Sequence, residues 1–224
     1  MIICGGKYMK NFSVDAVIFD LDGTLTDTLE DLKNSVNYAV GLCGGEPYDL
    51  ETVRSFIGSG AANLIRQALQ NCEGDWDFDV ILNEFRNHYM EHVMDNTCAY
   101  PGIKELLADL KARGKKLAVT SNKPDAGTKA IVDAIFPDIF DYVAGEKAGV
   151  PRKPEPDMVK LALSAIDAGS AVYVGDSDVD VETARNAGLP CICVTWGYRN
   201  VDQLKAAGGE IFVSSAKELG DMIG

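Results

Sequence analysis

Val14-Asp15-Ala16-Val17-Ile18-Phe19-Asp20-Leu21-Asp22-Gly23-Thr24 carries a mainly apolar run straight into two carboxylates, a glycine and a threonine. The run from Val14 to Phe19, short and rich in β-branched residues, reads as a buried strand. Residues i and i+2 of a strand project to one side, so Asp20 and Asp22 address the same point at its mouth. Gly23 lets the backbone turn sharply where a side chain would obstruct it. The pair suits phosphoryl transfer. One carboxylate can attack phosphorus to give an aspartyl-phosphate, and its neighbour can protonate the leaving oxygen and later take a proton from water.

Outward from this strand, further apolar runs alternate with amphipathic stretches from Lys115 onward. Leu117 to Thr120, Tyr142 to Ala144, Ala171 to Val174, Cys191 to Thr195 and Ile211 to Val213 read as strands. This βαβα order, with runs apolar on both faces, predicts an α/β fold: a Rossmann-like parallel sheet covered by helices. Active residues then belong at the carboxyl ends of the strands. Between Leu29 and Met94 the pattern is helical only, over Asp31–Leu42, Leu50–Phe56, Ala61–Asn71 and Phe78–Val93. The expected organisation is an N-terminal extension (1–12), a core domain (13–27 and 96–224) and an inserted all-helical cap (28–95). The main domain resumes near Pro101-Gly102.

The bulk numbers narrow the partners. With 21 Lys+Arg against 34 Asp+Glu, the formal charge of the 224 residues is -13, which disfavours nucleic acid and anionic membranes but leaves room for a small phosphate ester at a locally positive site. No stretch approaches the roughly 20 apolar residues of a membrane span, and Met1-Ile2-Ile3-Cys4 is too short for a signal-peptide core. A cytoplasmic enzyme, monomeric or homodimeric, is expected, with residues 1–10 loosely attached. The six cysteines lack zinc-site spacing and read as reduced, buried thiols.

Three further signals follow strands. Ser121-Asn122-Lys123 offers a hydroxyl and an amide after Leu117–Thr120, although a polar turn or helix cap gives the same pattern. Arg152-Lys153-Pro154-Glu155-Pro156 stiffens the backbone around a point cation. Gly175-Asp176-Ser177-Asp178-Val179-Asp180 crowds three carboxylates into a turn and the start of a helix, more than helix capping requires. Carboxylates converging at strand ends repel one another unless a hard divalent cation sits among them, and Mg²⁺ also suits a phosphate ligand.

In this order and spacing the set resembles the haloacid dehalogenase superfamily over nearly the whole chain from Val14. The helical insertion is similar to the cap of its phosphoglycolate phosphatase-like and β-phosphoglucomutase-like branch. The resemblance implies Asp20 as nucleophile, Asp22 as general acid/base, and Ser121 and Lys153 as phosphate binders. It also implies Asp20, the Asp22 carbonyl and Asp176 as Mg²⁺ ligands, with Asp180 as support or additional ligand. Gly23, Thr24 and Asn122 complete the expected phosphate cradle.

Within the cap, Gly58-Ser59-Gly60 precedes a helix whose N-terminal amides can hold a carboxylate or a distal phosphate. This stretch resembles the substrate-specificity loop of the phosphoglycolate phosphatase branch, and a flexible interhelix turn is the competing reading. His88-Tyr89-Met90-Glu91-His92 matches the H-x-x-E-H pattern of inverted zinc peptidases, but nothing in the insertion nominates a third ligand. The leading expectation is a Mg²⁺-dependent phosphatase of small organic phosphates, phosphoglycolate first. A phosphosugar mutase using the same aspartates, a phosphatase for another small ester, and a non-catalytic binding protein are the alternatives.

Overall fold

In the computed structural model, which describes residues 2–4, 7–9 and 11–224, a six-stranded sheet organises the chain. Its strands are β1 (Ala16–Phe19), β2 (Lys116–Pro124), β3 (Tyr142–Glu146), β4 (Ala171–Gly175), β5 (Cys191–Val194) and β6 (Ile211–Val213). They lie in the order β6-β5-β4-β1-β2-β3, every neighbouring pair parallel. This is the doubly wound arrangement, and its topological switch point falls between β1 and β4. Asp20 follows β1 and Asp176 follows β4, so the chain order itself sets the two carboxylates at the crevice where such sheets bind ligands.

The alternation of β1 explains how the sheet is covered. Val17 and Phe19 enter one apolar cluster with Leu107, Leu110 and Leu117, whereas Ala16 and Ile18 enter another with Ala118, Val159, Ala162 and Tyr173. Small residues on the second face give the helix Asp157–Ala165 a close approach and leave space for the ring of Tyr173, which is fully buried. All four β1 residues are inaccessible to solvent, as a continuous apolar strand in a two-sided sheet requires.

The insertion is helical, as expected: α1 (Leu29–Leu42), α2 (Leu50–Phe56), α3 (Ala61–Ala68) and α4 (Phe78–His92). Leu32, Val36, Ala39 and Val40 share one face of α1 and join the same cluster as Ile81, Leu82, Phe85 and Tyr89 of α4. Asp49 and Asp77 cap α2 and α4 by accepting from Thr52 N at 2.8 Å and Asp79 N at 2.8 Å. The expected helix Ala61–Asn71 tightens into a 3₁₀ turn at Leu69–Asn71.

Three features depart from the expectations set by the sequence. Thr26–Asp27 and Cys98–Ala99, the chain's exit to the insertion and its return, pair as a two-stranded antiparallel ladder too short to leave a periodic signal. Asp31 of α1 clamps the same crossing, accepting from Asn96 N and Nδ2 and from Thr97 N and Oγ1 at 2.8–3.0 Å. Residues Ile2–Cys4 and Lys7–Met9 pair antiparallel. The rest of the stretch expected as a loose extension, residues 1, 5, 6 and 10, lies outside the described residues. Cys43, Cys72, Cys98, Cys191 and Cys193 are all unbridged, and of these five only Cys193 is buried; Cys98, on the short crossing ladder, is exposed, which corrects the expectation of buried thiols. No helix among the described residues is long and apolar enough to cross a membrane.

Candidate active site

The carboxyl ends of β1, β2 and β4 form the floor of a cavity of about 580 Å³, and the insertion supplies part of its roof. Asp20, Asp22, Ser121, Asn122, Lys153 and Asp176 line it from below, and Gly58, Gly60, Leu64, Phe85 and Tyr89 from above. Asp20 Oδ1 accepts from Lys153 Nζ at 2.6 Å. Lys153 is 4 % exposed and donates also to Asp180 Oδ1 at 2.8 Å and to the Tyr173 hydroxyl at 3.1 Å. Burial works against the Lys153 ammonium, but Asp180 and Asp20 beside it outweigh that and hold its pKa well above the ordinary lysine range.

The expected strand ending at Thr120 in fact continues to Pro124, with an irregular register against β3 between Thr120 and Pro124. Ser121, Asn122 and Lys123 are therefore buried strand residues rather than a turn after it. Asn122 links the floor to two other segments: Nδ2 donates to the Lys153 carbonyl at 2.9 Å and to the Gly58 carbonyl at 3.2 Å, while Oδ1 accepts from Lys153 N at 2.9 Å.

Asp176 sits over Gly23, whose φ is 85° and where a Cβ would overlap the carboxylate; only glycine fits. Thr24 Oγ1 donates to Asp176 Oδ1 at 3.2 Å and Tyr198 N to Oδ2 at 2.7 Å. Burial first, then the charge of Asp180, pushes the Asp176 carboxyl up to about 7; burial likewise lifts Asp20 well above the usual carboxylate range, against the pull of Lys153. Gly23 and Thr24, expected at the substrate, do not line the cavity and instead seat Asp176. Ser59 does not line it either, unlike the glycines on both sides of it.

Asp22 reaches the other way. Its Oδ1 accepts from Thr28 Oγ1 at 2.6 Å and pairs with Lys123 Nζ at 2.9 Å. Asp178, the third carboxylate of its segment, turns out to Arg199 at 3.2 Å and takes no part in the floor.

The residues fit a divalent cation. Asp20, Asp176 and Asp180 offer carboxylate oxygens within 4.8 Å of one another, all buried, an oxygen donor set of the kind hard cations take. Across the floor the four carboxylates of Asp20, Asp22, Asp176 and Asp180 face two ammonium groups, Lys123 and Lys153, a deficit that one dication closes. Asp180 is the most committed of them. Its Oδ1 accepts from Lys153 and Tyr173, and its Oδ2 from Asp176 N, Ser177 N and Ser177 Oγ at 2.6–3.2 Å.

The histidine pattern in α4 finds other uses. His88 stacks on Tyr38 with centroids 4.2 Å apart and shares a hydrogen bond with Ser35 Oγ at 3.0 Å; His92 pairs with Asp95 at 2.8 Å. Neither joins a cluster of potential metal ligands among the described residues.

Lys123, Tyr173, Thr28, Asp31 and Arg199 have no role that the sequence alone points to. Two of them left a signal. Lys123 shares the parity of Ser121 along β2, and Tyr173 is the one hydroxyl in the otherwise apolar run Ala171–Val174. Arg199, which donates from the core to the carbonyls of Arg54 and Ile57 at the end of α2, left none.

A doubly wound sheet with aspartates at its switch point and a helical insertion after the first strand defines a class, and the family comparison agrees. The chain belongs to the haloacid dehalogenase-like hydrolase family, whose model matches residues 17–194. Within it the chain is similar to phosphoglycolate phosphatases, and the expected enzyme class, a phosphoric monoester hydrolase, stands. The phosphoglycolate phosphatase of Rhodobacter capsulatus is 38% identical over 188 residues, 82% of this chain and 85% of that one. A crystal structure of a phosphoglycolate phosphatase candidate from Lactobacillus delbrueckii subsp. bulgaricus superposes with TM-score 0.88 at 33% identity, over 93% of this chain and 98% of that one. CbbY from Rhodobacter sphaeroides, solved with phosphate, superposes with TM-score 0.78 at 28% identity, over 92% and 96% of the two chains; a variant of it was solved with xylulose-(1,5)bisphosphate.

Proposed function

We propose that the protein is a Mg²⁺-dependent phosphatase that hydrolyses a small phosphate monoester, phosphoglycolate first, through an aspartyl-phosphate on Asp20. The observation that carries this reading is the buried Asp20 carboxylate, 2.6 Å from Lys153 and at the end of a cavity roofed by the inserted helices. The names of the relatives support the choice of substrate.

Asp20 is the group to attack phosphorus, because it stands at the strand mouth with one oxygen held by Lys153 and the other not bonded within the floor. Lys153 and Ser121 hold the equatorial oxygens of the transferring group, and Asn122 fixes the Lys153 backbone by a two-way exchange of hydrogen bonds. Asp22 gives its proton to the leaving oxygen and then takes one from the attacking water. Asp20, Asp176 and the Asp22 carbonyl, with Asp180 in support, would hold Mg²⁺, which would supply charge neutralisation at the phosphoryl group. The Gly58-Ser59-Gly60 turn closes over Asp20 and limits the leaving group to a small one. The core is residues 13–27 and 96–224, and the cap is 28–95.

One observation favours a second reading, a phosphatase of a larger ester such as a sugar phosphate. The cavity of about 580 Å³ exceeds the needs of a two-carbon acid, and the related CbbY was solved with a sugar bisphosphate. A panel of phosphate esters assayed for phosphate release decides between them. Phosphoglycolate should give the highest kcat/KM. A sugar phosphate in first place overturns the substrate assignment, and an isomerised sugar phosphate without free phosphate overturns hydrolysis in favour of a mutase.

A further inference from the structure

A buried chain of polar groups runs from the cap to Asp22. The hydroxyl of Tyr89, on α4, accepts from Lys123 Nζ at 2.6 Å, and the same ammonium pairs with Asp22 Oδ1 at 2.9 Å. On the far side Thr28 Oγ1 donates to that oxygen at 2.6 Å, and Thr28 is itself held by the Tyr198 hydroxyl through its backbone N–H at 3.2 Å and its Oγ1 at 2.9 Å. Lys123 is 7 % exposed and Tyr89 5 %. Tyr89 comes from the insertion, Lys123 from β2, Asp22 from the loop after β1 and Thr28 from the threshold of the insertion. Two separate segments therefore meet on one carboxylate oxygen, and the insertion reaches it through Lys123.

We propose that Tyr89 and Lys123 are positioning residues that set Asp22 for proton transfer only when the cap helix α4 lies over the floor. The proposal rests on the reading of Asp22 as the acid/base. In the first half-reaction the ester P–O bond breaks as a bond from Asp20 to phosphorus forms, and the Asp22 proton passes to the leaving oxygen. Asp22 emerges as a carboxylate, which the Lys123 ammonium and the Thr28 hydroxyl are placed to receive. In the second half-reaction water oxygen bonds to phosphorus, the bond to Asp20 breaks and the water proton returns to Asp22. Lys123 has a flexible stem with four carbons, and its neighbours decide where the head goes. Its ammonium also lies 4.5 Å from the Tyr89 ring centroid, so ring and hydroxyl together locate it. With the cap displaced, Tyr89 is withdrawn and the ammonium loses the partner that fixes its distance from Asp22. Chemistry is thereby tied to closure, and water entering an open site meets a misplaced acid/base.

The readout is leaving-group dependence, which a purely structural role would not move. An alkyl ester needs its oxygen protonated, whereas 4-nitrophenolate leaves without help. In Tyr89→Phe, which keeps the packed ring, kcat for phosphoglycolate should fall at least about tenfold and kcat for 4-nitrophenyl phosphate no more than about threefold, with KM for both little changed. Lys123→Gln should show the same selective pattern more strongly, and the double variant should be no worse than Lys123→Gln alone, since Tyr89 acts through Lys123. Equal losses on both esters, or additive losses in the double variant, overturn the proposal. So does a common rise in KM and in the inhibition constant of inorganic phosphate, which would make Lys123 a phosphate ligand instead. Asp20→Asn and Asp22→Asn run in parallel separate the two levels: phosphoglycolate turnover surviving in either sinks the underlying reading, whereas its loss in both with uniform effects at Tyr89 sinks only the coupling.

Discussion

The floor and the roof of the cavity are built on opposite principles. On the floor most charged groups have several partners: Lys153 touches Asp20, Asp180 and Tyr173, and Asp180 accepts five hydrogen bonds. The roof is mainly apolar, with Ile57, Leu64 and Phe85, interrupted by two glycines in left-handed conformations, Gly58 at φ 129° and Gly60 at φ 81°. A floor so constrained suits one operation on a phosphoryl group, whatever carries it. On the proposed function, a roof of side-chain bulk and a bare turn is the part that discriminates by shape. The proposed function assigns chemistry to the floor and selectivity to the roof, and substitutions should sort accordingly.

The largest effect belongs to Asp20, the proposed nucleophile. Asp20→Asn should lower phosphate release by at least about a thousandfold on every ester while leaving the melting temperature within a few degrees, since the amide is isosteric and a poor nucleophile. Wild-type turnover in that variant would break the assignment of the floor. Removal of divalent cations by EDTA should likewise stop turnover on all substrates and Mg²⁺ restore it, because the clustered carboxylates outnumber the two lysines. Lys153→Ala should cost roughly a hundredfold, again without regard to leaving group.

At the crossing between the two regions the expected effect is on stability. Asp31→Ala removes the acceptor of four hydrogen bonds from Asn96 and Thr97, and urea unfolding should register a loss of about 2 kcal/mol. A loss under about 0.5 kcal/mol would mean that the short ladder alone holds the crossing.

The smallest effect is in the roof's outer wall. Burial first, and the neighbouring His92 charge second, lower the pKa of His88 from its ordinary 6.5. The unfolded chain therefore binds that proton more readily than the folded one. Its contribution to stability is intact above about pH 6.5 and is lost as pH falls through the lowered folded value. His88→Gln should flatten that part of the melting-temperature profile below pH 6.5, and an unchanged slope would remove His88 from the account.

The two regions were not equally legible in the sequence. The strand Ala16–Phe19 and the carboxylates that follow β1 and β4 could be read because periodicity and local spacing fix them, and the doubly wound order then brings them together. Ser121 could be named but not its setting, since the irregular register that carries β2 on to Pro124 depends on pairing with β3. Lys123 to Asp22, Asp31 to Thr97 and Arg199 to Ile57 join residues 65 or more positions apart, and no local pattern encodes such meetings. The cap turn was visible as Gly58-Ser59-Gly60, yet which of its residues face the cavity was decided by the path of the backbone, which admits the glycines and turns Ser59 away.

The most direct test of the separation is the ratio of kcat/KM for phosphoglycolate to that for 4-nitrophenyl phosphate in Gly60→Val. Gly60 lies at φ 81°, where a β-branched residue is strained, and an added Cβ would stand 3.1 Å from Arg152 Nη1, so the turn or the Arg152 side chain has to give way. The ratio should fall at least about tenfold while the aryl ester alone loses no more than about threefold. A proportional loss on both esters, or none on either, would contradict it: the roof would then be a connector, and selectivity would lie in the floor.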